Sequence, residues 1–241
     1  MHAPHQKHKT LALFDFDGTL YPYDSFTGFI FYALKKRQIL KRGLRILPWI
    51  QAYYLKLYPA HAMRPKLYYT MFRNSHAQEI QQLAEEYAQR LVLRLNPKLL
   101  KQLRQHQQLG HQVVLVSASL NLYLKPVCTY LGIDLICSEV EILTGEMTGL
   151  YNTPDCSKDQ KKSRILEKYN LEDYAEIYAY GNSEEDEAML SLAQYAYLEG
   201  RDKVLPLLEM NLPKSELKII NLRIIKNRYE QRFFIEIYLT S

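Results

Sequence analysis

Two aspartates, Asp15 and Asp17, directly follow an apolar run near the start of the 241-residue chain, in the string Phe14-Asp15-Phe16-Asp17-Gly18-Thr19-Leu20. In an extended chain both side chains lie on one face, about 6.5 Å apart. Carboxylates this close repel each other unless a cation lies between them or one is protonated. Such oxygen-rich sites suit Mg²⁺, and Gly18 allows a sharp turn that directs backbone N–H groups at an anion. The string indicates metal-assisted chemistry on an anion, although Asp and Gly also commonly end strands.

Two more polar clusters follow apolar runs. The first is Ser117-Ala118-Ser119, where a hydroxyl group can donate to a phosphoryl oxygen and the next helix can direct its N-terminal N–H groups at the same anion. An ordinary N-cap serine is the alternative. The second cluster runs from Gly181 to Asp186, and within it Asn182 and Asp186 are best placed to bind a metal. Its glutamates are expected to cap or solvate a helix.

A short basic segment, Lys158-Asp159-Gln160-Lys161-Lys162-Ser163, precedes the last of these clusters. One lysine that reaches into the site would neutralise a carboxylate nucleophile and a phosphoryl group. A basic run on a helix is more often a solvated face, so only its combination with the other three clusters makes it a candidate.

The expected architecture is a doubly wound parallel sheet of the α/β class. Apolar runs predict buried parallel strands, and residues near Leu135 to Ile142 add a possible fifth. Predicted helices alternate with the strands. Ligands of such sheets bind beyond the carboxyl ends of the strands, so the polar clusters should converge there. The four strands are Leu11–Phe14, Val113–Val116, Ile177–Tyr180 and Tyr195–Leu198, and the helices are Lys98–Gln108, Leu120–Leu131, Gln160–Tyr169 and Glu185–Ala193.

A long insertion separates the first two strands. It is rich in helix formers and aromatic residues and is broken by Pro48, Pro59 and Pro65, which predicts a helical cap domain over residues 25–95. The catalytic core is then expected over residues 8–24 and 96–212. Residues 213–241 form a C-terminal extension whose alternating pattern fits a β-hairpin or a poorly ordered tail.

Together, FDFDGTL, VVLVSAS, the lysine segment and AYGNSEEDEAML resemble, in their order, the haloacid dehalogenase (HAD) superfamily of phosphatases. The closest similarity is to its phosphoserine-phosphatase-like subgroup, over about residues 10 to 200. The resemblance implies a Rossmann-like HAD core with an inserted cap, Mg²⁺ as cofactor and an aspartyl-phosphate intermediate. In this interpretation Asp15 attacks phosphorus, and Asp17 acts first as general acid and then as general base.

The resemblance also implies the remaining roles. The subgroup's pattern has a charge-balancing lysine four residues before the position of Leu166, and that lysine is Lys162 in this chain, with Lys161 as a near rival. Catalytic residues are then Asp15, Asp17, Ser117 and Lys162; phosphate-binding residues are Asp17, Gly18, Ser117, Ala118 and Lys162; metal ligands are Asp15, Asp17, Asn182 and Asp186. Asn182 departs from the family pattern, which has aspartate there. Its amide oxygen can coordinate Mg²⁺ without adding charge, so weaker metal binding is expected.

Charge is distributed unevenly along the chain. The net charge is +5, yet Ser25 to Gln78 contains ten basic residues and no acidic ones. This segment suggests an anionic partner: a phosphorylated substrate, an anionic membrane surface or, as an outsider, nucleic acid. Three cysteines and the lack of an apolar leader segment favour a reduced, cytoplasmic protein, with a peripheral position at the inner face of the membrane left open.

The substrate is the least determined property. A small soluble phosphomonoester such as phosphoserine is the default expectation. One alternative is a lipid phosphate of the phosphatidylglycerophosphate type, because basic and aromatic residues are interleaved in the cap. Those aromatic residues also suit the cap's own core. A phosphate-binding protein with little turnover is the third possibility, and Asn182 is the only residue that supports it.

Overall fold

A five-stranded parallel sheet forms the centre of the structure. The computed structural model describes residues 9–37, 48, 51–52, 55 and 59–208. The strands of the sheet are β1 Lys9–Phe14, β3 Gln112–Leu120, β4 Asp134–Ser138, β7 Tyr174–Gly181 and β8 Tyr195–Leu198. They lie in the order β4-β3-β1-β7-β8, and β1 pairs with β3 on one side and with β7 on the other. The four strands predicted from apolar runs, which correspond to β1, β3, β7 and β8, are confirmed.

Four helices follow the central strands or precede them, as the alternation predicted. They are α4 Pro97–Gln108, α5 Asn121–Leu131, α6 Asp159–Lys168 and α7 Glu187–Leu190, with a 3-10 turn at Leu171–Asp173. The last helix is shorter than predicted. A 3-10 turn over Glu184–Asp186 precedes it, and the Asp186 side chain folds back to accept from the N–H groups of Asn182 and Ser183.

The insertion between β1 and α4 is helical where it is described. It contains α1 Ser25–Arg37, α2 Ala60–Phe72 and α3 Ala77–Val92. A two-residue strand, β2 Ser75–His76, pairs with a hairpin of β5 Val140–Leu143 and β6 Glu146–Tyr151 in a second sheet of order β2-β6-β5. This small antiparallel sheet was not predicted. One strand was expected near Leu135 to Ile142, but two strands, β4 and β5, lie there and join different sheets.

Most of the insertion's aromatic residues that the structure describes pack inward; Trp49, Tyr53, Tyr54 and Tyr58 lie outside the described residues. Phe29 and Phe72 are fully or almost fully buried and stack on each other, and Phe29 also contacts Tyr123 of α5. Phe31 and Tyr69 are more exposed. Part of the basic charge is neutralised locally, since Lys36 pairs with Glu86 at 3.0 Å. These contacts favour the interpretation that the aromatic residues form the insertion's own core.

Two units divide the chain, Met1–Pro206 and Leu207–Ser241. Only Leu207 and Leu208 of the second unit are described. The predicted C-terminal hairpin therefore lies outside the described residues. Within the described part of the chain, no helix is long and apolar enough to cross a membrane.

A buried histidine of α4 predicts how stability depends on pH. Burial, aided by the neighbouring His111, lowers the pKa of His106 from 6.5 to about 3. Nδ1 of His106 lies 2.8 Å from Nδ1 of His111, so one ring nitrogen must accept, and Nε2 lies 2.8 Å from the Tyr180 hydroxyl. Below pH 6.5 the unfolded chain binds a proton that the folded chain does not. The free energy of unfolding should therefore fall by about 2 kcal/mol between pH 6.5 and 5.

Urea denaturation at several pH values measures the slope of the free energy of unfolding against pH. His106→Gln should reduce the slope, whereas replacement of the exposed His76 by glutamine should leave it unchanged. Equal slopes for the His106 variant and the wild type would contradict the assignment.

Candidate active site

The predicted polar clusters meet at the carboxyl ends of the central strands. A cavity of about 880 Å³ opens there between β1, β3 and β7 and the insertion. It brings together almost all of the predicted site residues. Those that line it are Asp15, Asp17, Gly18, Ser117, Ala118, Asn182 and Asp186.

Asp15 lies at the end of β1 and is only 5% exposed. One carboxylate oxygen accepts from Lys161 Nζ at 2.6 Å, and the other accepts from the Thr19 hydroxyl at 2.8 Å. Burial raises the pKa of Asp15 to about 7, repulsion from Asp186 adds to this, and Lys161 opposes it. A cation beside this carboxylate would favour its ionised form. Asp15 is therefore held in one orientation by two donors at the floor of the cavity.

The charge-balancing lysine is Lys161, which corrects the prediction of Lys162. Lys161 is 2% exposed and its ammonium group contacts Asp15 and Asp186, each at 2.6 Å. Lys162 is half-buried and faces another part of the surface. The helix register explains the difference: Ile165 is fully buried and Leu166 is half-exposed, so the residue four positions before Ile165 points inward. Burial disfavours the Lys161 cation, but attraction from the two carboxylates outweighs it and raises its pKa.

Asp186 contacts this lysine, and its role as a metal ligand stays a prediction; its hydrogen bonds favour support of Lys161 instead. One oxygen accepts from Lys161, and the other accepts from the backbone N–H groups of Asn182 and Ser183 at 2.9 and 3.1 Å. The side chain is 1% exposed. Both oxygens are thus already hydrogen-bonded inside the fold. Asp186 therefore orients Lys161 and shapes the loop after β7.

Asp17 is directed toward the insertion. One of its oxygens accepts from the backbone N–H of Ser25 at 2.6 Å, and the other accepts from the Ser119 hydroxyl. Burial, followed by repulsion from Asp24, raises the pKa of Asp17 to about 6, while the bonds from Ser119 and Ser25 lower it. A carboxyl group with such a pKa can hold or release a proton near neutral pH.

Ser117 and Ala118 lie at the end of β3 beside Asp15. The Ser117 oxygen accepts from the backbone N–H of Ser119 at 3.1 Å, which leaves its hydroxyl hydrogen for another acceptor. Both residues line the cavity, as predicted. Their position allows Ser117 to donate to an anion that contacts Asp15.

Gly18 and Asn182 are packed against each other across the site. Gly18 has a φ of +80°, and a Cβ atom there would overlap the side-chain amide of Asn182. Only glycine satisfies both conditions at this position. The amide of Asn182 therefore lies directly over the turn that follows Asp15 and Asp17.

Sequence reasoning missed several side chains that touch the site. Thr19 donates to Asp15, and Ser119 donates to Asp17. Arg64 of α2 lines the cavity and forms a two-point ion pair with Asp155, with both distances at 2.8 Å. Thr19 and Ser119 were visible in their motifs, but no local pattern marks Arg64, because its partner is 91 residues away.

The donor set fits magnesium. The expected ligands are the Asp15 carboxylate, the main-chain carbonyl of Asp17 and the side-chain amide oxygen of Asn182, all of them oxygen atoms of the kind that Mg²⁺ prefers. Among the described residues, no group of three or more His, Cys, Asp or Glu side chains is arranged to hold a metal. A site here would therefore depend on carbonyl and amide oxygens, with one carboxylate as its charged ligand.

Solved structures share this fold. A protein of unknown function from Bordetella pertussis Tohama I is 22% identical, with a TM-score of 0.68 over 89% of this chain and 96% of that chain. A substrate-bound phosphoserine phosphatase is 20% identical, with a TM-score of 0.54 over 79% and 86%. Cytosolic 5'-nucleotidase IIIB bound to cytidine is 15% identical, with a TM-score of 0.58 over 91% and 88%. No curated protein matches the chain significantly.

The family assignment rests on sequence as well as on fold. The model of the haloacid dehalogenase-like hydrolases matches residues 12–191, which include all four polar clusters. The predicted fold and the resemblance to the haloacid dehalogenase superfamily are confirmed, and the solved phosphoserine phosphatase shares the fold. The chain belongs to the haloacid dehalogenase-like hydrolase family.

Proposed function

We propose that the protein hydrolyses phosphomonoesters through a covalent phosphate on Asp15. The observation that carries the proposal is the buried contact of Asp15 with Lys161, at 2.6 Å, on the floor of an open cavity. A carboxylate in that position can attack phosphorus, while the ammonium group offsets the negative charge that accumulates during attack by one anion on another.

The reaction has two steps. A carboxylate oxygen of Asp15 forms a bond to phosphorus, the bond to the leaving oxygen breaks, and that oxygen takes its proton from Asp17. A water molecule then attacks phosphorus, gives its proton to Asp17, and the bond to Asp15 breaks to release phosphate. Ser117 and the backbone around Gly18 are proposed to hold the phosphoryl oxygens.

Mg²⁺ would be held by Asp15, the carbonyl of Asp17 and Asn182, and when bound it supplies positive charge to the phosphoryl oxygens. Lys161 replaces Lys162 in the proposed catalytic set. Residues 25–95 are proposed as the cap that selects the leaving group. A cytoplasmic location remains a prediction.

A small soluble phosphomonoester is the preferred substrate class. The cavity is lined by side chains of both signs, which include Arg64, Lys158 and Arg201 as well as Asp24, Glu184 and Glu187. A leaving group such as serine, with an amine and a carboxylate, would find partners of both kinds. Phe29 and Phe72 pack inward and are not available to a membrane surface, whereas Phe31 and Tyr69 are exposed, so the lipid-phosphate alternative stays as the second candidate.

Phosphate release from a panel of phosphomonoesters, with Mg²⁺ or EDTA, tests the proposal. The panel contains phosphoserine, phosphoethanolamine, phosphocholine, cytidine monophosphate, p-nitrophenyl phosphate and phosphatidylglycerophosphate in micelles. Metal-dependent turnover of a soluble member supports the proposal, and preference for the micellar lipid would favour the alternative. No turnover by the folded protein with Mg²⁺ would point to the phosphate-binding protein instead.

Asn182→Asp should strengthen metal binding. A carboxylate in place of the amide adds an anionic ligand, so the Mg²⁺ concentration for half-maximal effect should fall by about tenfold, or about 1.4 kcal/mol. Thermal stabilisation of the protein by added Mg²⁺ measures this without turnover. If the variant needed the same Mg²⁺ concentration for half-maximal effect as the wild type, Asn182 would not be a metal ligand.

Gly18→Ala should damage the site more than the fold. The matched control is Gly145→Ala, because Gly145 has a φ of +81° and nothing within 4 Å of an added Cβ. Both changes should lower the free energy of unfolding by about 1–2 kcal/mol. Only Gly18→Ala displaces the Asn182 amide, so only it should also lower phosphate release, by roughly tenfold to a hundredfold. Equal activities of the two variants would show that the contact with Asn182 has no role.

A further inference from the structure

A buried hydroxyl network surrounds the carboxyl group of Asp17. Ser119, at the end of β3, donates to one oxygen, and the backbone N–H of Ser25, the first residue of α1, donates to the other. The Ser25 hydroxyl lies 3.1 Å from the Ser119 hydroxyl and 3.3 Å from that of Tyr123. Ser25, Ser119 and Tyr123 are each at most 1% exposed. The hydroxyl donors of the network are therefore buried, while Asp17 itself is half-buried and borders the cavity.

We propose that Ser119, supported by Ser25, is a positioning residue that holds the Asp17 carboxyl group for proton transfer to and from the leaving oxygen. This inference rests on the proposed function and deepens it. It assigns Ser119 a role distinct from that of Ser117, which faces the phosphoryl group. Ser119 acts through Asp17 and needs no contact with the substrate.

The geometry explains why a hydroxyl group suits this position. A carboxyl group can rotate about its last torsion angle, and hydrogen bonds from two different elements, β3 and α1, remove that freedom. During the reaction Asp17 first carries a proton and then lacks it. A serine hydroxyl can accept from the acid and donate to the carboxylate, whereas a lysine or arginine could only donate. The Ser25 hydroxyl offers Ser119 an alternative partner in either state.

The network reaches the insertion as well as the sheet. The carbonyl of Ser25 accepts from the Tyr87 hydroxyl of α3 at 3.1 Å, and Tyr123 belongs to α5. The orientation of Asp17 is therefore determined jointly by the catalytic core and by the first and third helices. A lone serine on the strand would not have this connection.

Leaving-group dependence isolates the positioning role. The proton from Asp17 matters most when the leaving oxygen is basic, and least when the departing anion is already stable. Phenyl phosphate and p-nitrophenyl phosphate have similar shapes, but the departing phenolate is the more basic of the two. Loss of positioning should slow the first substrate much more than the second.

The experiment measures kcat and KM for both substrates with the wild type, Asp17→Asn, Ser119→Ala and Ser25→Ala. Ser119→Ala should lower kcat/KM for phenyl phosphate by about tenfold and kcat/KM for p-nitrophenyl phosphate by less than about threefold. The quantity kcat/KM reports the step in which the leaving oxygen departs, whereas hydrolysis of the covalent phosphate is common to both substrates. Ser25→Ala keeps the backbone N–H that donates to Asp17. It should therefore change the ratio of kcat/KM between the two substrates less than Ser119→Ala does. Because the ratio compares two substrates on one preparation, it does not depend on the folded fraction.

Ser138→Ala is the matched control. Ser138 is 0% exposed and its hydroxyl donates to the carbonyl of Ala118 at 2.8 Å, so its loss removes a buried bond of the neighbouring strand. Its ratio of kcat/KM between phenyl phosphate and p-nitrophenyl phosphate should equal that of the wild type. Equal losses of kcat/KM on both substrates in Ser119→Ala, or no leaving-group effect in Asp17→Asn, would overturn the inference while hydrolysis itself stands. A wild type that hydrolyses neither substrate would overturn the proposed function and this inference together.

Discussion

Asp15→Asn is expected to lower phosphate release by roughly four orders of magnitude or more, because the substitution removes the attacking oxygen and with it the covalent pathway. The amide keeps the shape of the carboxyl group and can still accept from Lys161. Acid quenching during turnover of a substrate with a labelled phosphoryl group should leave label on the wild-type protein and none on the variant.

The loss should occur without unfolding. Burial raises the pKa of Asp15 from 3.8 to about 7, so the unfolded chain releases this proton at a lower pH than the folded chain. Ionisation of Asp15 therefore costs stability as the pH rises from about 4 to 7 in metal-free protein. Asp15→Asn removes that cost, and at pH 7 in EDTA the variant should be at least as stable as the wild type. Full activity in a stable variant would show that water, and not Asp15, attacks phosphorus.

Lys161→Met is expected to impair both stability and activity. Asp15 and Asp186 would face each other in the protein interior without their shared cation. Breaking a buried ion pair from one side typically costs about 3–5 kcal/mol. Phosphate release should fall by about a hundredfold or more, because a preorganised charge at the phosphoryl group is lost.

Lys162→Met is the matched control, one residue further along α6. Lys162 is half-buried and lies outside the cavity, so its replacement should change stability by no more than about 0.5 kcal/mol and leave activity intact. Losing the Lys161 cation should raise the pKa of Asp15 further, so the stability defect of Lys161→Met should diminish as the pH falls and Asp15 takes up a proton. The reverse ranking of the two variants would restore the assignment of Lys162.

Much of the site was predictable because apolar runs locate buried strands and parallel strands bring their carboxyl ends together. Asp15, Asp17 and Ser117 follow from this rule without further information. The choice between Lys161 and Lys162 needed the rotation of α6, and the exposed Leu166 gave the wrong register. The contacts of Asp186 were not predictable, because its bonds to the N–H groups of Asn182 and Ser183 depend on a 3-10 turn that sequence patterns do not predict.

Other features depend on contacts between distant segments. The small sheet joins Ser75 and His76 to Met147 and Glu146 much further along the chain, through a strand only two residues long. Two-residue strands have no periodicity to detect. Arg64 is likewise defined by its distant partner Asp155, and the local sequence around it is unremarkable for a helix. Ser119 lies in a visible motif, but its bond to Asp17 depends on a contact between distant segments.

The spacing of Asp15 and Lys161 has a consequence during synthesis. The two residues are 146 positions apart, so at typical rates of translation the aspartate emerges roughly ten to thirty seconds before its cation. Strand β1 also needs β7 on one side to complete the sheet. We therefore expect chains released before α6 and β7 to remain open and sensitive to proteases, so that the pairing of Asp15 with Lys161 marks the completion of the fold as well as the assembly of the site.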